Sequence, residues 1–156
     1  MFPPQFIVAR RIGHNLEIGS KKRLLEALGE LLASDEPALN PETVFERLLE
    51  RERLGSTGLG HGIALPHARI KEVRETVGAF VQLASGVDFD AIDDGPVDLA
   101  FALLVPESAN EGHLQLLSQL AAMFSDPGLR EHLRNAESEV EILRLLEEWE
   151  ERLQNA

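Results

Sequence analysis

Cysteine is missing from all 156 residues. That absence removes disulfides, thiol nucleophiles and every zinc centre that needs sulfur, and it suits a reducing compartment. Long apolar runs are missing too: the longest, Leu99 to Val105, is far too short to cross a bilayer. The N-terminal stretch MFPPQFIVARRIGHN has no long apolar core behind a basic start, so the expectation is a cytoplasmic protein without membrane insertion. Basic residues are scarce, 15 against 27 acidic, for a formal net charge of −12. So acidic a surface repels a phosphate backbone and argues against nucleic acid as a partner. What remains, 44% hydrophobic and 27% charged residues, is the composition of a soluble globular protein. The length fits a single domain over 1–156 with one sizeable core, and no repeat or low-complexity linker divides it.

From Ser20 onward, Leu24, Leu25, Leu28, Leu31 and Leu32 recur at three- and four-residue spacings, which predicts an amphipathic helix capped by Ser20. Asn40 and Pro41 open a second helix through Val44, Phe45, Leu48 and Leu49 toward Leu54 and Gly55, with Arg51 and Arg53 near its C-terminus. Thr76 to Ala84 and Val97 to Val105 are short apolar runs that read as buried strands, joined by a turn-rich connection at 87–94. Asn110 then caps a helix carrying Leu114, Leu116, Leu117, Leu120, Ala121 and Phe124, with His113 in its first turn. Asp126 and Pro127 start a short helix. Ser138 to Glu141 form a capping box ahead of a last one carrying Val140, Ile142, Leu143, Leu146, Trp149 and Leu153. Interleaved helices and strands place the chain in the α/β class.

Between the second helix and the first of those strands lies GSTGLGHGIALPHARI, residues 55–70. Residues 51–74 hold Arg51, Arg53, Arg69, Lys71 and Arg74 against Glu52 and Glu72, a net of +3 in an otherwise acidic chain. A basic island around a glycine-rich loop attracts a small anion. The dinucleotide fingerprint G-x-G-x-x-G fails at each glycine and no GK[ST] follows, which argues against a nucleotide site. Ser56 stands in GSTG rather than in a nucleophile elbow. His61, His67 and His113 share no helical ligand spacing, so no metal is expected, and no other cofactor is implied.

A lone histidine is more often a half-exposed loop residue than a nucleophile. His67 has company, however. Pro66 biases Leu65 to an extended backbone and presents His67 at the mouth of a strand behind Ile63, Ala64 and Leu65. Loop N–H groups, the hydroxyls of Ser56 and Thr57, and Arg51 at a helix end are suited to surround an anion attached to its ring. Neutral imidazole is a good nucleophile near pH 7. Together these fit a phosphohistidine site, with Ser56 and Thr57 as candidate phosphate-binding residues. His61 reads as a loop residue, and His14 and His132 as ordinary surface residues.

The run RERLGSTGLGHGIALPH, with Arg51 sixteen positions before His67, resembles the active-site signature of mannitol/fructose-class IIA domains of the bacterial phosphotransferase system. FDAIDDGPVDLAFALLVP (89–106) and HLQLLSQLA (113–121) are similar to the same class, in particular its nitrogen-regulatory branch, and the likeness covers about residues 15–150. The resemblance implies a mixed β-sheet flanked by helices. It implies that His67 accepts a phosphoryl group from an HPr-like carrier, that His113 steadies the phosphate and that Arg51 supplies positive charge. Where the nitrogen branch commonly has Gly then Lys after the histidine, Ala68 and Arg69 stand here, and His61 replaces a commoner Asn. Three functions follow as expectations: a phosphotransferase whose phosphorylation state is read by regulatory protein targets, with no transporter domain fused to it; a sugar-specific IIA component that hands phosphate to a IIB component; or a binding module that is never phosphorylated.

Overall fold

The structure is a computed structural model describing residues 2–109 and 111–154, and for residues 111–113 the backbone only. After a 3-10 turn at Ala9–Arg11 the chain runs through β1 (Ile12–Leu16), α1 (Lys21–Ala33), α2 (Pro41–Leu54), β2 (Gly58–Gly60), β3 (Ile63–Ala64) and β4 (His67–Ile70). It continues through β5 (Val77–Val87), β6 (Val97–Pro106), α3 (Glu111–Phe124), α4 (Pro127–Arg134) and α5 (Glu139–Gln154).

Helices α1, α2, α4 and α5 begin where capping side chains stand, while Asn110, the cap expected for α3, lies outside the described residues. Ser20 accepts from the Arg23 N–H, Asn40 from those of Glu42 and Thr43, and Asp126 from those of Gly128 and Leu129. Ser138 accepts from the Glu141 N–H, while the Glu141 carboxylate reaches back to the Glu137 N–H, one residue further than the usual capping box. On α5, Ile142 and Leu146 are buried, whereas Val140 and Leu153 face outward and do not belong to the packed stripe as expected.

The strands form one six-stranded mixed sheet in the order β1-β5-β6-β3-β2, with β4 also pairing β6. β5 and β6 are antiparallel; β1 lies parallel to β5, and β3 and β4 lie parallel to β6. The apolar runs at 76–84 and 97–105 are the two central strands, β5 extending three residues further than its apolar pattern. Their unbroken hydrophobicity has a geometric cause: both faces are covered. Ala79, Val81, Ala100, Ala102 and Leu104 point into one core with Leu24, Leu28 and Leu48 of α1 and α2. Phe80, Leu99, Phe101 and Leu103 point into a second with α3, α4 and α5. There Phe6, Phe80, Phe101 and Phe124 pack ring against ring, with centroids 5.4 to 6.1 Å apart. The result is a three-layer sandwich, which places the ends of α2 and β4 side by side.

Candidate functional site

The site is built outward from the end of α2. Arg51, half-buried in the last turn, donates from Nη1 to the Gly55 carbonyl at 2.9 Å, closing the helix C-terminus on itself. Its neighbour Glu52 points the other way and is buried. The Glu52 carboxylate accepts from the Thr57 N–H at 3.1 Å and from the Thr57 hydroxyl, and lies 3.1 Å from Lys21 Nζ at the start of α1. Lys21 in turn sits 4.5 Å over the Phe89 ring. This buried ion pair pins the first residues of the glycine-rich segment to both helices.

The segment is not a loop throughout. Gly58–Gly60 and Ile63–Ala64 pair as a short hairpin whose two-residue turn is His61 (φ 57°) and Gly62 (φ 81°), the geometry of a type I′ turn. A Cβ at position 62 would press on the ends of Arg134 and Asp98, and the left-handed backbone there favours glycine. Arg134 grips Asp98 with two bonds, 2.8 and 2.9 Å, and donates to the His61 carbonyl. Asp93 accepts from the Gly95 and His61 N–H groups, and those bonds, Gly95 first, hold its carboxyl below the ordinary value of 3.8.

Beyond the hairpin, Leu65 donates its N–H to the Thr57 carbonyl at 3.0 Å. Pro66 has no N–H to give and breaks the ladder, although its carbonyl still accepts from Leu103 at 2.9 Å. Pairing with β6 resumes at His67, opposite Leu103. Thus His67, expected at the mouth of the strand behind Ile63, Ala64 and Leu65, is itself the first residue of a further strand, β4. Its Nδ1 lies 2.9 Å from the Leu65 carbonyl oxygen. A carbonyl only accepts, so Nδ1 carries the proton and, in the neutral ring, Nε2 carries the lone pair.

A cleft of about 520 Å³ separates α2 from β4, lined by Arg47, Glu50, Arg51 and Leu54 on one wall and His67 and Arg69 on the other. The fold therefore brings together Arg51 and His67. Thr57 is buried, and its hydroxyl is spent on Glu52. Ser56 is exposed, and its Oγ donates to the Phe89 carbonyl and accepts from the Gly58 N–H, both at 3.0 Å. His113 falls in the first turn of α3, and its side chain lies outside the described residues. His132 is exposed as expected, but His14 is half-buried, its Nε2 donating to the Ala136 carbonyl at 2.9 Å. Among the described residues no group of three His, Asp or Glu side chains is placed to hold a metal ion, and no helix is long and apolar enough to cross a membrane.

Glu52, Lys21 and the Asp98–Arg134 pair were not singled out by spacing. A lone acid beside Arg51 in a helix repeat reads as a solvated side chain until the fold turns it inward.

A six-stranded mixed sheet between two helical layers has known counterparts. The chain belongs to the family of the phosphoenolpyruvate-dependent sugar phosphotransferase system described as EIIA 2, whose model matches residues 5–149. It is thereby a phosphotransferase-system component, a transferase in the broad sense. Within that family it is similar to nitrogen regulatory proteins: one from Pseudomonas aeruginosa is 50% identical over 122 residues, 78% of this chain and 79% of the relative. The crystal structure of nitrogen regulatory protein IIA-Ntr from Neisseria meningitidis superposes with a TM-score of 0.85 at 45% identity, covering 91% of this chain and 97% of that one. The mannitol IIA of Escherichia coli, solved in complex with phosphorylated mannitol IIB, superposes with a TM-score of 0.76 at 28% identity over 94% of this chain and 98% of that one.

Proposed function

We propose that this chain is a phosphohistidine carrier of the nitrogen type, whose His67 Nε2 takes a phosphoryl group from a phosphohistidine on an HPr-like protein and whose regulatory targets distinguish its two states. The observation that carries this reading is that Arg51 and His67 line one cleft, with the His67 ring oriented by the Leu65 carbonyl. In the transfer, the bond from phosphorus to the donor imidazole breaks as the bond to Nε2 forms, and the donor nitrogen recovers its lone pair. A loose transition state of this kind asks for in-line positioning and for positive charge directed at the negatively charged equatorial oxygens. Arg51 supplies the charge and His113, a residue of the first turn of α3, steadies the phosphate. Ser56 and Thr57 act in this reading through the backbone: their hydroxyls brace the loop against Phe89 and Glu52, and the phosphate is met by N–H groups and cations. No metal and no general base of unusual strength is required, because one nitrogen–phosphorus bond is exchanged for another.

A second reading, onward transfer to a IIB component, is favoured by the likeness to the mannitol IIA found with phosphorylated IIB. Incubating the phosphorylated chain with isolated IIB proteins tests it. Retention of the phosphate supports the regulatory carrier, and its rapid loss to a IIB protein supports the sugar-specific one. Phosphorus NMR of the labelled chain tests the chemistry itself: the reading expects the phosphate on Nε2, and a signal from Nδ1 would overturn the assignment made from the Leu65 contact.

A further inference from the structure

Arg69 is an exposed side chain two residues beyond His67 on β4, about 6.6 Å along the strand. Alternation sends both to the open side, while Ala68 and Ile70 are buried, and both line the same cleft. In the structure Arg69 Nη1 donates to the carbonyls of Glu107 at 3.1 Å and Ala109 at 2.5 Å, in the connection between β6 and α3. That connection is otherwise tied down by backbone bonds from the Glu107 N–H to the Ile70 carbonyl and from the Ala109 N–H to the Pro106 carbonyl. So a flexible cation reinforces those backbone bonds in the segment that leads into α3, and it does so through neutral acceptors only two residues from the proposed phosphoryl group.

We infer that Arg69 switches between two sets of acceptors: the Glu107 and Ala109 carbonyls when His67 is bare, and the phosphoryl oxygens when His67 is phosphorylated. The inference rests on the reading of His67 as the phosphoryl acceptor. A phosphoryl group brings roughly −1.5 to −2 charges and three strong acceptor oxygens. Hydrogen bonds to an ionised acceptor are roughly twice as strong as those between neutral groups, so the phosphate outcompetes the carbonyls. Phosphorylation then releases the segment at 107–109, and the state of His67 is displayed on the surface as a loosened entry to α3. A partner that distinguishes the two states meets a changed backbone there as well as a changed charge.

The test is amide hydrogen exchange at Glu107 and Ala109, whose N–H groups bond the Ile70 and Pro106 carbonyls, in the full chain, before and after phosphorylation by phosphoenolpyruvate and the general phosphotransferase proteins, with intact mass reporting the phosphate separately. In the wild type, exchange at these amides rises about tenfold on phosphorylation, the loss expected when hydrogen bonds of ordinary net strength are given up. Arg69→Ala exchanges fast from the start and phosphate changes nothing. Arg69→Lys, whose ammonium also carries several donors, behaves as the wild type. Phosphorylated wild type with unaltered exchange, or a phosphate-dependent change that persists in Arg69→Ala, overturns the switch alone. A wild type that takes no phosphate overturns the reading of His67 and the switch with it.

Discussion

Arg51 serves two ends at once. Its guanidinium satisfies a carbonyl at the close of α2, and it lines the same cleft as His67. A cation at a helix C-terminus contributes only about 0.3–1 kcal/mol, so Arg51→Ala should leave thermal unfolding nearly unchanged. Removing a charge aimed at developing transition-state charge costs far more, about a hundredfold in rate. Single-turnover phosphorylation kinetics check this, and an unchanged rate would remove Arg51 from the site. Thr57 predicts the opposite pattern. Thr57→Val takes a hydrogen bond from a buried carboxylate and should cost about 1–3 kcal/mol in denaturant unfolding, with labelling slowed because the loop start is displaced. Arg51 and His67 stood out as candidates in the sequence because both fall in the run RERLGSTGLGHGIALPH, and His113 because it opens the stretch HLQLLSQLA. Glu52 did not, since nothing in RERLG tells an inward glutamate from an outward one.

The hairpin from Gly58 to Ala64 shows where pattern reading stops. Three glycines and a histidine carry no strand preference, and β2, β3 and β4 exist because β6 and its neighbours supply their hydrogen-bond partners. β1 was illegible for a related reason: IGHNL is short, has no clean alternation and includes Asn15 at φ 52°, so only its pairing with β5 makes it a strand. The turn is stringent nonetheless. Position 61 needs a left-handed backbone, which His61 adopts and which a short polar side chain such as Asn takes up more readily. Gly62→Ala adds a forbidden φ and displaces Arg134 from Asp98; a loss of about 1–3 kcal/mol in denaturant unfolding is expected. Asp93 anchors the same turn. Its folded-state pKa lies below its unfolded one, so its contribution is complete above the ordinary value of 3.8 and is lost as pH falls below it. Asp93→Asn should therefore flatten the stability profile in that acid range, and a profile identical to the wild type would remove Asp93 from the anchor.

Helical periodicity, caps and the two apolar runs were enough to foresee a sheet with helices, because those signals are local. Strand order and the split of one apolar run between two cores are not local, and they emerge only once β5 and β6 are covered on both faces. A shared sheet also couples the two cores. Trp149 packs against the core beneath α3, α4 and α5, so its fluorescence reports that side, while far-ultraviolet circular dichroism reports all helices. Their denaturant transitions should coincide, and separate midpoints would show that the layers unfold independently.

The account stands or falls on whether His67 takes up phosphate. The direct measurement is intact mass after incubation with phosphoenolpyruvate and the general phosphotransferase proteins, for the wild type and His67→Ala in parallel. One acid-labile phosphate on the wild type and none on the variant is the predicted result. No phosphate on either, with the donor carrier shown to be charged, or equal labelling of both, would contradict it.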